Sequence, residues 1–209
     1  MSRNEKGFDR REFLKGTAAV AGATAVGTLA PLGAALAQTG KIKVGLMLPY
    51  TGTFAALGVA ITNGFKLAVE ERGGKLGGRE IEYIVVDDES NPAKAPENAN
   101  KLIQRDKVDV IIGTVHSGVA LGMAKVIREA GTLWINPNAG AGDVTGPLCA
   151  PNIFRTSFSN WQTTHALGKV LKAKGHKNAV FITWKYAAGE EMMQGFKEGF
   201  EKEGGKLIK

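Results

Sequence analysis

Cysteine is nearly absent from this chain, whose 209 residues include only Cys149. A single cysteine cannot close an intrachain disulfide and cannot build a cysteine-based zinc site, so a disulfide-stabilised mini-protein is excluded. The hydrophobic share of 44% and the charged share of 22% are close to those of ordinary globular proteins. This composition excludes a disordered chain and a collagen-like chain.

Motifs for phosphate binding and for nucleophilic catalysis are also missing from the sequence. There is no P-loop, no G-x-G-x-x-G follows a predicted strand, and no G-x-S-x-G elbow occurs. His165 and His176 have no acidic partner at metal-ligand spacing. We therefore expect no catalytic residue, no metal site and no cofactor.

Strongly apolar runs of about 20 residues, which a membrane-spanning helix needs, do not occur either. Residues 16–37 are uncharged but only weakly hydrophobic, because they consist mainly of Ala, Gly, Thr, Val and Leu. They follow a basic segment and end in Ala35-Leu36-Ala37, the small-x-small pattern that signal peptidase cuts. This predicts a signal peptide over residues 1–37 with cleavage after Ala37. The alternative, a buried N-terminal helix, is disfavoured because Gly22, Gly27 and Pro31 would interrupt it.

The basic segment carries a more specific signal. Residues 9–15 read DRREFLK, which resembles the twin-arginine export signal S/T-R-R-x-F-L-K at every position except the first, with Arg10 and Arg11 as the twin arginines. No cysteine lies at the cleavage site, so a lipoprotein anchor is not expected. The resemblance implies a bacterial protein that the twin-arginine export machinery moves into the periplasm or beyond.

The formal charge of +7 could indicate a nucleic-acid partner, but part of it belongs to the predicted signal peptide. Residues 1–37 carry five basic and three acidic side chains, so the remaining chain has a formal charge of +5. Its basic residues are scattered, for example at Lys169, Lys172 and Lys177, without a basic stripe or interleaved aromatic residues. This is typical of a solvated surface, and we expect no nucleic-acid partner.

After residue 40 the chain alternates between predicted strands and helices. Apolar runs predict strands over 41–48, 80–86, 108–112, 133–136, 153–157 and 178–183, with one more beginning at 206. Helical spacing, with Gly or Pro at the ends, predicts helices over 57–72, 90–104, 118–130, 161–174 and 190–203. This order predicts an α/β fold in which a parallel sheet carries helices on both faces.

Ligands of open parallel sheets bind at the carboxyl ends of the strands. Four segments are predicted there: 49–58, 87–91, 114–119 and 136–142. The helix start near Gly118 offers unpaired N–H groups that suit a carboxylate, and Ser117 adds a hydroxyl; alternatively, Ser117 only caps the helix. Asp87-Asp88 is interpreted as a cap for the following helix or a tether for a loop, in preference to an acid/base pair. Trp184 and Tyr186 either form the wall of a cleft or pack within a loop.

Five segments occur in an order and spacing that resembles a known family: KIKVGLMLPYTGTFAALG, GGKLGGREIEYIVVDDESNP, VDVIIGTVHSGVA, LWINPNAG and NIFRTSFS. They are similar to the branched-chain amino-acid-type solute-binding proteins of ABC importers, which have periplasmic binding protein fold type I. The resemblance spans essentially all of residues 41–209. It implies that residues 38–157 form a first α/β lobe and that residues 158–209 begin a second lobe in a longer chain. The alternative is a complete 209-residue protein with a swapped or degenerate second lobe.

The resemblance also implies a binding site. The ligand carboxylate would lie at Ser117 and its neighbouring backbone, and the 138–140 loop would face the ligand. The family usually has a serine or threonine hydroxyl for the ligand's ammonium where this chain has Gly140. The residues implied are Ser117, His116, Gly118, Ala139, Gly140, Leu57, Phe54, Tyr186 and Trp184.

The missing hydroxyl bears on the ligand class, because a buried ammonium without a partner is costly. The expected ligand is therefore a small carboxylate, either an amino acid or an aromatic acid. The expected partner is an ABC permease of the inner membrane, and the alternative function is a ligand-sensing domain of a receptor or regulator with the same fold. Cys149 either pairs with a cysteine outside this chain or is buried.

The export hypothesis predicts that a double Arg10→Lys, Arg11→Lys variant no longer reaches the periplasm. The twin arginines are the part of the signal that the export machinery recognises. Cell fractionation followed by immunoblotting should show the protein in the periplasm for the wild type and in the cytoplasm for the variant. Arg3→Lys is the matched control, since Arg3 lies outside the motif. Periplasmic protein at the wild-type level in the double variant would contradict the hypothesis.

Overall fold

A computed structural model of the protein describes residues 40–208, which lie in one compact unit. The predicted signal peptide lies outside these residues. The main sheet has six strands, and a second sheet has two short parallel strands. The main sheet contains β1 (Ile42–Leu48), β2 (Lys75–Leu76), β3 (Arg79–Asp87), β4 (Val110–Ile112), β5 (Leu133–Asn136) and β6 (Ile153–Arg155), and the second contains β7 (Asn178–Ala179) and β8 (Lys206–Leu207).

Five α-helices connect the strands within residues 40–208. They are α1 (Ala55–Glu70), α2 (Ala95–Asn100), α3 (Ser117–Ala130), α4 (Asn160–Ala173) and α5 (Ala187–Glu201). A 3₁₀ turn, Pro92–Lys94, precedes α2, and a π turn, Lys101–Arg105, follows it. The predicted α/β fold is confirmed, and the predicted helix over 90–104 is present as this composite of three helix types.

The strand order of the main sheet is β2-β3-β1-β4-β5-β6, and every neighbouring pair is parallel except β2 with β3. Residues pair in register, so that Leu48 lies beside Asp87 and Leu46 lies beside Ile112. The ends of β1, β3, β4 and β5 therefore meet at one edge of the sheet. This is the edge where the sequence predicts the ligand.

The hydrophobic core is divided between the two faces of the sheet. Val44, Leu46 and Ile112 pack on one face together with Phe65 of α1. Met47 and Ile111 pack on the other face with side chains of α2 and α3. Neighbouring residues of a strand point to opposite faces, so the continuous apolar runs of β1 and β4 serve both layers.

Apart from shifts of one or two residues at strand ends, the structure departs from the sequence prediction at one predicted strand and at one strand that was not predicted. Within the described residues, the segment predicted as a strand over 178–183 pairs only at Asn178–Ala179, with Lys206–Leu207 of β8. Beyond that point Ile182 is 91% exposed. The antiparallel strand β2 was not predicted, although Gly77 and Gly78, both with positive φ, form the two-residue turn that joins it to β3.

Cys149 is exposed, so the alternative that it is buried is wrong, and its pairing with a cysteine outside this chain stays a prediction. No helix within residues 40–208 is long and apolar enough to cross a membrane. The proposed boundary between lobes at residue 157 stays a prediction.

Helices α4 and α5 approach each other through glycines. A Cβ atom on Gly199 would lie 2.1 Å from the backbone oxygen of His165, and one on Gly168 would lie 2.6 Å from that of Phe196. Both distances are far shorter than van der Waals contact. Any side chain at these positions would force the helices apart.

This packing predicts that Gly199→Ala destabilises the protein by about 1–3 kcal/mol, the usual cost of overpacking. The matched control is Gly64→Ala in α1, where nothing lies within 4 Å of the added Cβ. Alanine there should stabilise the helix by up to about 1 kcal/mol. Urea denaturation measures both values, and equal effects of the two substitutions would contradict the close approach of α4 and α5.

Candidate functional site

Two adjacent carboxylates connect the loops at the ligand edge of the sheet. Asp87 Oδ1 accepts hydrogen bonds from the backbone N–H of Tyr50 at 2.8 Å and of Glu89 at 2.9 Å, and its Oδ2 accepts one from the Thr51 hydroxyl at 2.6 Å. Asp88 is fully buried. It accepts hydrogen bonds from the N–H of Ser90 and from the Thr114 hydroxyl. The interpretation of Asp87-Asp88 as a tether for loops is confirmed.

The pKa values of these carboxyl groups move in opposite directions. Burial raises the pKa of Asp88 above its usual value, although its hydrogen bonds oppose the shift. Burial alone would also raise the pKa of Asp87, but the hydrogen bonds from Thr51, Tyr50 and Glu89 outweigh it and lower the pKa. Asp87 is therefore the more firmly ionised of the two.

Helix α3 begins at the end of β4 and is capped by His116. The Nδ1 atom of His116 accepts hydrogen bonds from the N–H of Gly118 at 3.1 Å and of Val119 at 3.3 Å. The alternative that Ser117 is the cap is therefore wrong. The expectation of unpaired N–H groups at this helix start is also wrong for Gly118 and Val119, because the imidazole already accepts from them.

Ser117 does not cap α3, and it is only 2% exposed. Its Oγ accepts a hydrogen bond from Asn160 Nδ2 at 3.2 Å, and the same amide nitrogen donates to Glu191 Oε2 at 2.8 Å. Glu191 also accepts from the N–H of Gly142 at 2.7 Å. Since Ser117 accepts from Asn160, its own proton is available for an acceptor such as a carboxylate.

Four of the predicted site residues form a cluster of rings. The centroids of His116 and Tyr186 are 4.8 Å apart, those of Phe54 and His116 are 6.1 Å apart, and those of Phe54 and Trp184 are 6.3 Å apart. These distances lie in the range of favourable aromatic contacts. Trp184 and Tyr186 thus lie beside Phe54 of the first loop and His116 at the start of α3, and that they form the wall of a ligand cleft stays a prediction.

Two adjoining cavities open beside this cluster, and Phe54 and Tyr186 contribute to both. The outer cavity, of about 440 Å³, is lined by the four rings and by polar loop residues: Gly52, Thr53, Phe54, Glu89, Ser90, His116, Trp184 and Tyr186. The inner cavity, of about 110 Å³, is lined by neutral side chains and by Gly140: Phe54, Leu57, Val115, Ser117, Asn138, Gly140, Phe158, Asn160, Tyr186, Ala188 and Met192.

Gly118 and Ala139 are placed differently from the other predicted site residues. A Cβ on Gly118 would lie 2.8 Å from Pro92 Cγ, so glycine is needed there for packing against the 3₁₀ turn. Ala139 is fully buried. Its N–H donates to the Thr114 carbonyl and its carbonyl accepts from the side chain of Asn136. The N–H group of Gly118 and the N–H and carbonyl groups of Ala139 are therefore already hydrogen-bonded within the protein.

Several residues of the two cavities were not predicted from the sequence, above all Asn160, Glu89 and Ser90. Asn160 is the first residue of α4 and is 3% exposed. Its position could have been inferred from Ser159 and Gln162, which form a capping box and set the helix start. Glu89 and Ser90 lie within the 87–91 segment, one of the predicted strand ends. No cluster of His, Cys, Asp and Glu within residues 40–208 is placed to hold a metal ion.

Residues 41–209 match the sequence model of the periplasmic binding protein family. The chain belongs to this family. Residues 7–27 match the twin-arginine translocation signal, which confirms the predicted export signal and the periplasmic location. Cleavage after Ala37 stays a prediction.

Solved structures and sequence relatives support this membership. A Rhodopseudomonas palustris solute-binding protein solved with benzoate is 57% identical, with a TM-score of 0.78 over 81% of this chain and 48% of that one. Another from R. palustris BisB5, solved with 3,4-dihydroxybenzoic acid, is 34% identical, with a TM-score of 0.74 over 80% and 46%. The Leu/Ile/Val-binding protein BraC3 of Rhizobium johnstonii is 34% identical over 75% of this chain and 43% of its own. The chain thus spans about half the length of the relatives it matches.

The capping role of His116 predicts a loss of stability in acid. Burial lowers the pKa of His116, so the unfolded chain takes up a proton first as the pH falls below the unperturbed value of about 6.5. The stabilisation is present above that pH and is lost as the pH falls through the lowered pKa, where protonated Nδ1 can no longer accept from Gly118 and Val119.

Urea denaturation between pH 7 and pH 4.5 measures this effect as a difference between variants. His116→Asn keeps a capping side chain that does not titrate, so it should lose about 1 kcal/mol less than the wild type over this range. The exposed His176 provides the matched control, and His176→Asn should follow the wild type. Identical pH profiles for His116→Asn and the wild type would rule out the titrating cap.

Proposed function

We propose that this chain is the ligand-binding part of a periplasmic solute-binding protein that captures a small aromatic carboxylate and delivers it to an ABC permease of the inner membrane. The observation that carries the proposal is the ring cluster of Phe54, His116, Tyr186 and Trp184 beside the buried hydroxyl of Ser117. The rings offer flat apolar surfaces to an aromatic ligand. The Ser117 hydroxyl offers a donor to its carboxylate.

The inner cavity suits a carboxylate because its polar lining is neutral and able to donate. Ser117, Asn138 and Asn160 provide the polar side chains, and no acidic residue is among those that line it. The amide of Asn160 already donates to Ser117 and Glu191, so the side chains left to donate to a ligand are those of Ser117 and Asn138. A hydrogen bond to a charged group contributes more than one between neutral groups, roughly 1.5–3 kcal/mol. The proposed carboxylate site is therefore a small set of donors inside an apolar wall.

The surroundings of Gly140 argue against an α-amino acid as the ligand. A Cβ atom at this position would lie 2.3 Å from Asn160 Oδ1 and 2.9 Å from its backbone nitrogen. A serine or threonine hydroxyl therefore has no room here, and Asn160 fills the space. An ammonium group would lack the hydroxyl partner that the family usually provides, at a considerable desolvation cost.

The ligands in the solved structures of related proteins support an aromatic carboxylate as the ligand. The 57% identical protein was solved with benzoate and the 34% identical one with a dihydroxybenzoic acid. A branched-chain amino acid is the second candidate, because BraC3 binds Leu, Ile and Val by its name. The Glu191 carboxylate, which is bonded to Asn160, would attract an ammonium group.

We propose no enzymatic activity in either case, and the twin-arginine machinery is the proposed export partner.

Isothermal titration calorimetry of the exported protein tests the ligand class. We expect benzoate to bind and leucine not to bind. Benzamide has the same shape without the charge, so it should bind at least about tenfold more weakly. Ser117→Ala should weaken benzoate binding by about tenfold or more for the same reason, while Thr145→Ala, which removes an exposed hydroxyl, should leave it unchanged.

Other outcomes decide between the alternatives. Binding of leucine without benzoate would favour the amino-acid candidate. Absence of binding for every carboxylate would overturn the proposed function. Equal affinities of benzoate and benzamide would show that the carboxylate is not what the site recognises.

A further inference from the structure

The inner cavity is too small to hold an aromatic acid by itself. Its volume is about 110 Å³, whereas an apolar cavity that accommodates benzene measures about 150 Å³. A benzoate-like ligand adds a carboxylate to that ring. If the ligand is an aromatic carboxylate, as proposed above, its ring must extend beyond the inner cavity.

The outer cavity is the space into which the ring can extend. It shares Phe54 and Tyr186 with the inner cavity. Its volume of about 440 Å³ lies in the usual range for small-molecule sites. A ligand that passes between these two rings would therefore have one end in each cavity.

The Ser117 hydroxyl decides which end lies where. It lies in the lining of the inner cavity with its proton available for an acceptor, whereas the carboxylate in the lining of the outer cavity, that of Glu89, is half exposed and its Oε1 is paired with Lys94 Nζ at 2.7 Å. A hydrogen bond to a charged acceptor contributes more than one between neutral groups. The carboxylate of the ligand is therefore directed to the inner cavity and the far end of its ring to the outer one.

The loop that meets this far end is held in an unusual backbone conformation. Glu89 and Ser90 have φ values of 50° and 55°, which side-chain-bearing residues rarely adopt. The carboxylates of Asp87 and Asp88 hold them there by accepting from the N–H groups of Glu89 and Ser90. Such strained residues persist only where the surroundings impose them, and they concentrate at binding sites.

The hydroxyl of Ser90 has an unmet capacity for hydrogen bonding. Its Oγ atom is buried and has no hydrogen-bond partner among the described residues, although Ser90 itself lines the outer cavity. Leaving a buried hydroxyl unpaired costs free energy, so such groups are rare and call for an explanation. A serine side chain can change between staggered χ1 positions to meet a partner in the cavity.

We propose that Ser90, together with Glu89, forms a subsite that recognises a polar substituent at the far end of the aromatic ring. The preferred ligands are then hydroxylated aromatic carboxylates, with their ring hydroxyl bonded to Ser90 and facing the Glu89 carboxylate. A site built to bond a hydroxyl discriminates against the analogue that lacks it, because its own polar groups are then left unpaired.

Calorimetric titration with benzoate, 3-hydroxybenzoate and 4-hydroxybenzoate tests this subsite. The wild type should bind at least one hydroxybenzoate about tenfold more tightly than benzoate. Ser90→Ala should remove most of that preference, because it weakens the binding of the hydroxybenzoate about tenfold more than that of benzoate, which has no ring hydroxyl. Thr145→Ala is the control and should keep both affinities. Ser90→Asn, which tolerates positive φ and keeps a polar group, should retain part of the preference.

The possible failures are distinguishable. Tighter binding of benzoate than of both hydroxybenzoates by the wild type overturns the subsite but not the proposed function. A Ser90→Ala variant that melts at the wild-type temperature and weakens all three ligands equally also overturns the subsite. Absence of binding for all three ligands in the wild type overturns both.

Discussion

The site depends on the adjacent carboxylates of Asp87 and Asp88 at the end of β3. Their hydrogen bonds reach the loop after β1 through Tyr50 and Thr51 and the loop after β4 through Thr114. The same two side chains hold the backbone of the 89–90 segment at positive φ. Three loops from neighbouring parallel strands are thus fixed relative to one another. The loops of the proposed ligand-binding edge are held in place because the two carboxyl groups at its base accept hydrogen bonds from backbone N–H groups and threonine hydroxyls of the loops.

A second connection is made by one asparagine, which joins the binding-site residues of α3 to those of α5. Asn160 donates to Ser117 on α3 and to Glu191 on α5, and its side chain occupies the space next to Gly140. A single neutral amide thereby orients the Ser117 hydroxyl and excludes a side chain at residue 140. Because buried donors and acceptors are costly to leave unpaired, this network favours one arrangement of Ser117 over others.

The sheet was predictable because the apolar pattern of a buried strand is strong. β1 and β4 lie between two layers, so their residues are apolar on both faces and stand out in the sequence. The prediction is less accurate where the described part of the chain offers little to pair with, as for residues 180–183, which are mostly apolar but lie beyond the two residue pairs that join β7 to β8. The site residues Phe54, Leu57, Ser117 and Tyr186 came from a family resemblance, and the structure brings them together around one cavity.

The sequence by itself determined the export signal, the family and the order of strands and helices. Each of these depends on patterns of residues that lie close together along the chain. Only the tertiary structure decided that His116 caps α3, that Asn160 contacts Ser117 43 residues away, and that Ser90 lines the outer cavity. Such contacts follow from the parallel sheet, which brings distant strand ends to a single edge. Which donor meets which acceptor at this edge cannot be inferred from local sequence patterns, since it depends on distances set by the whole fold.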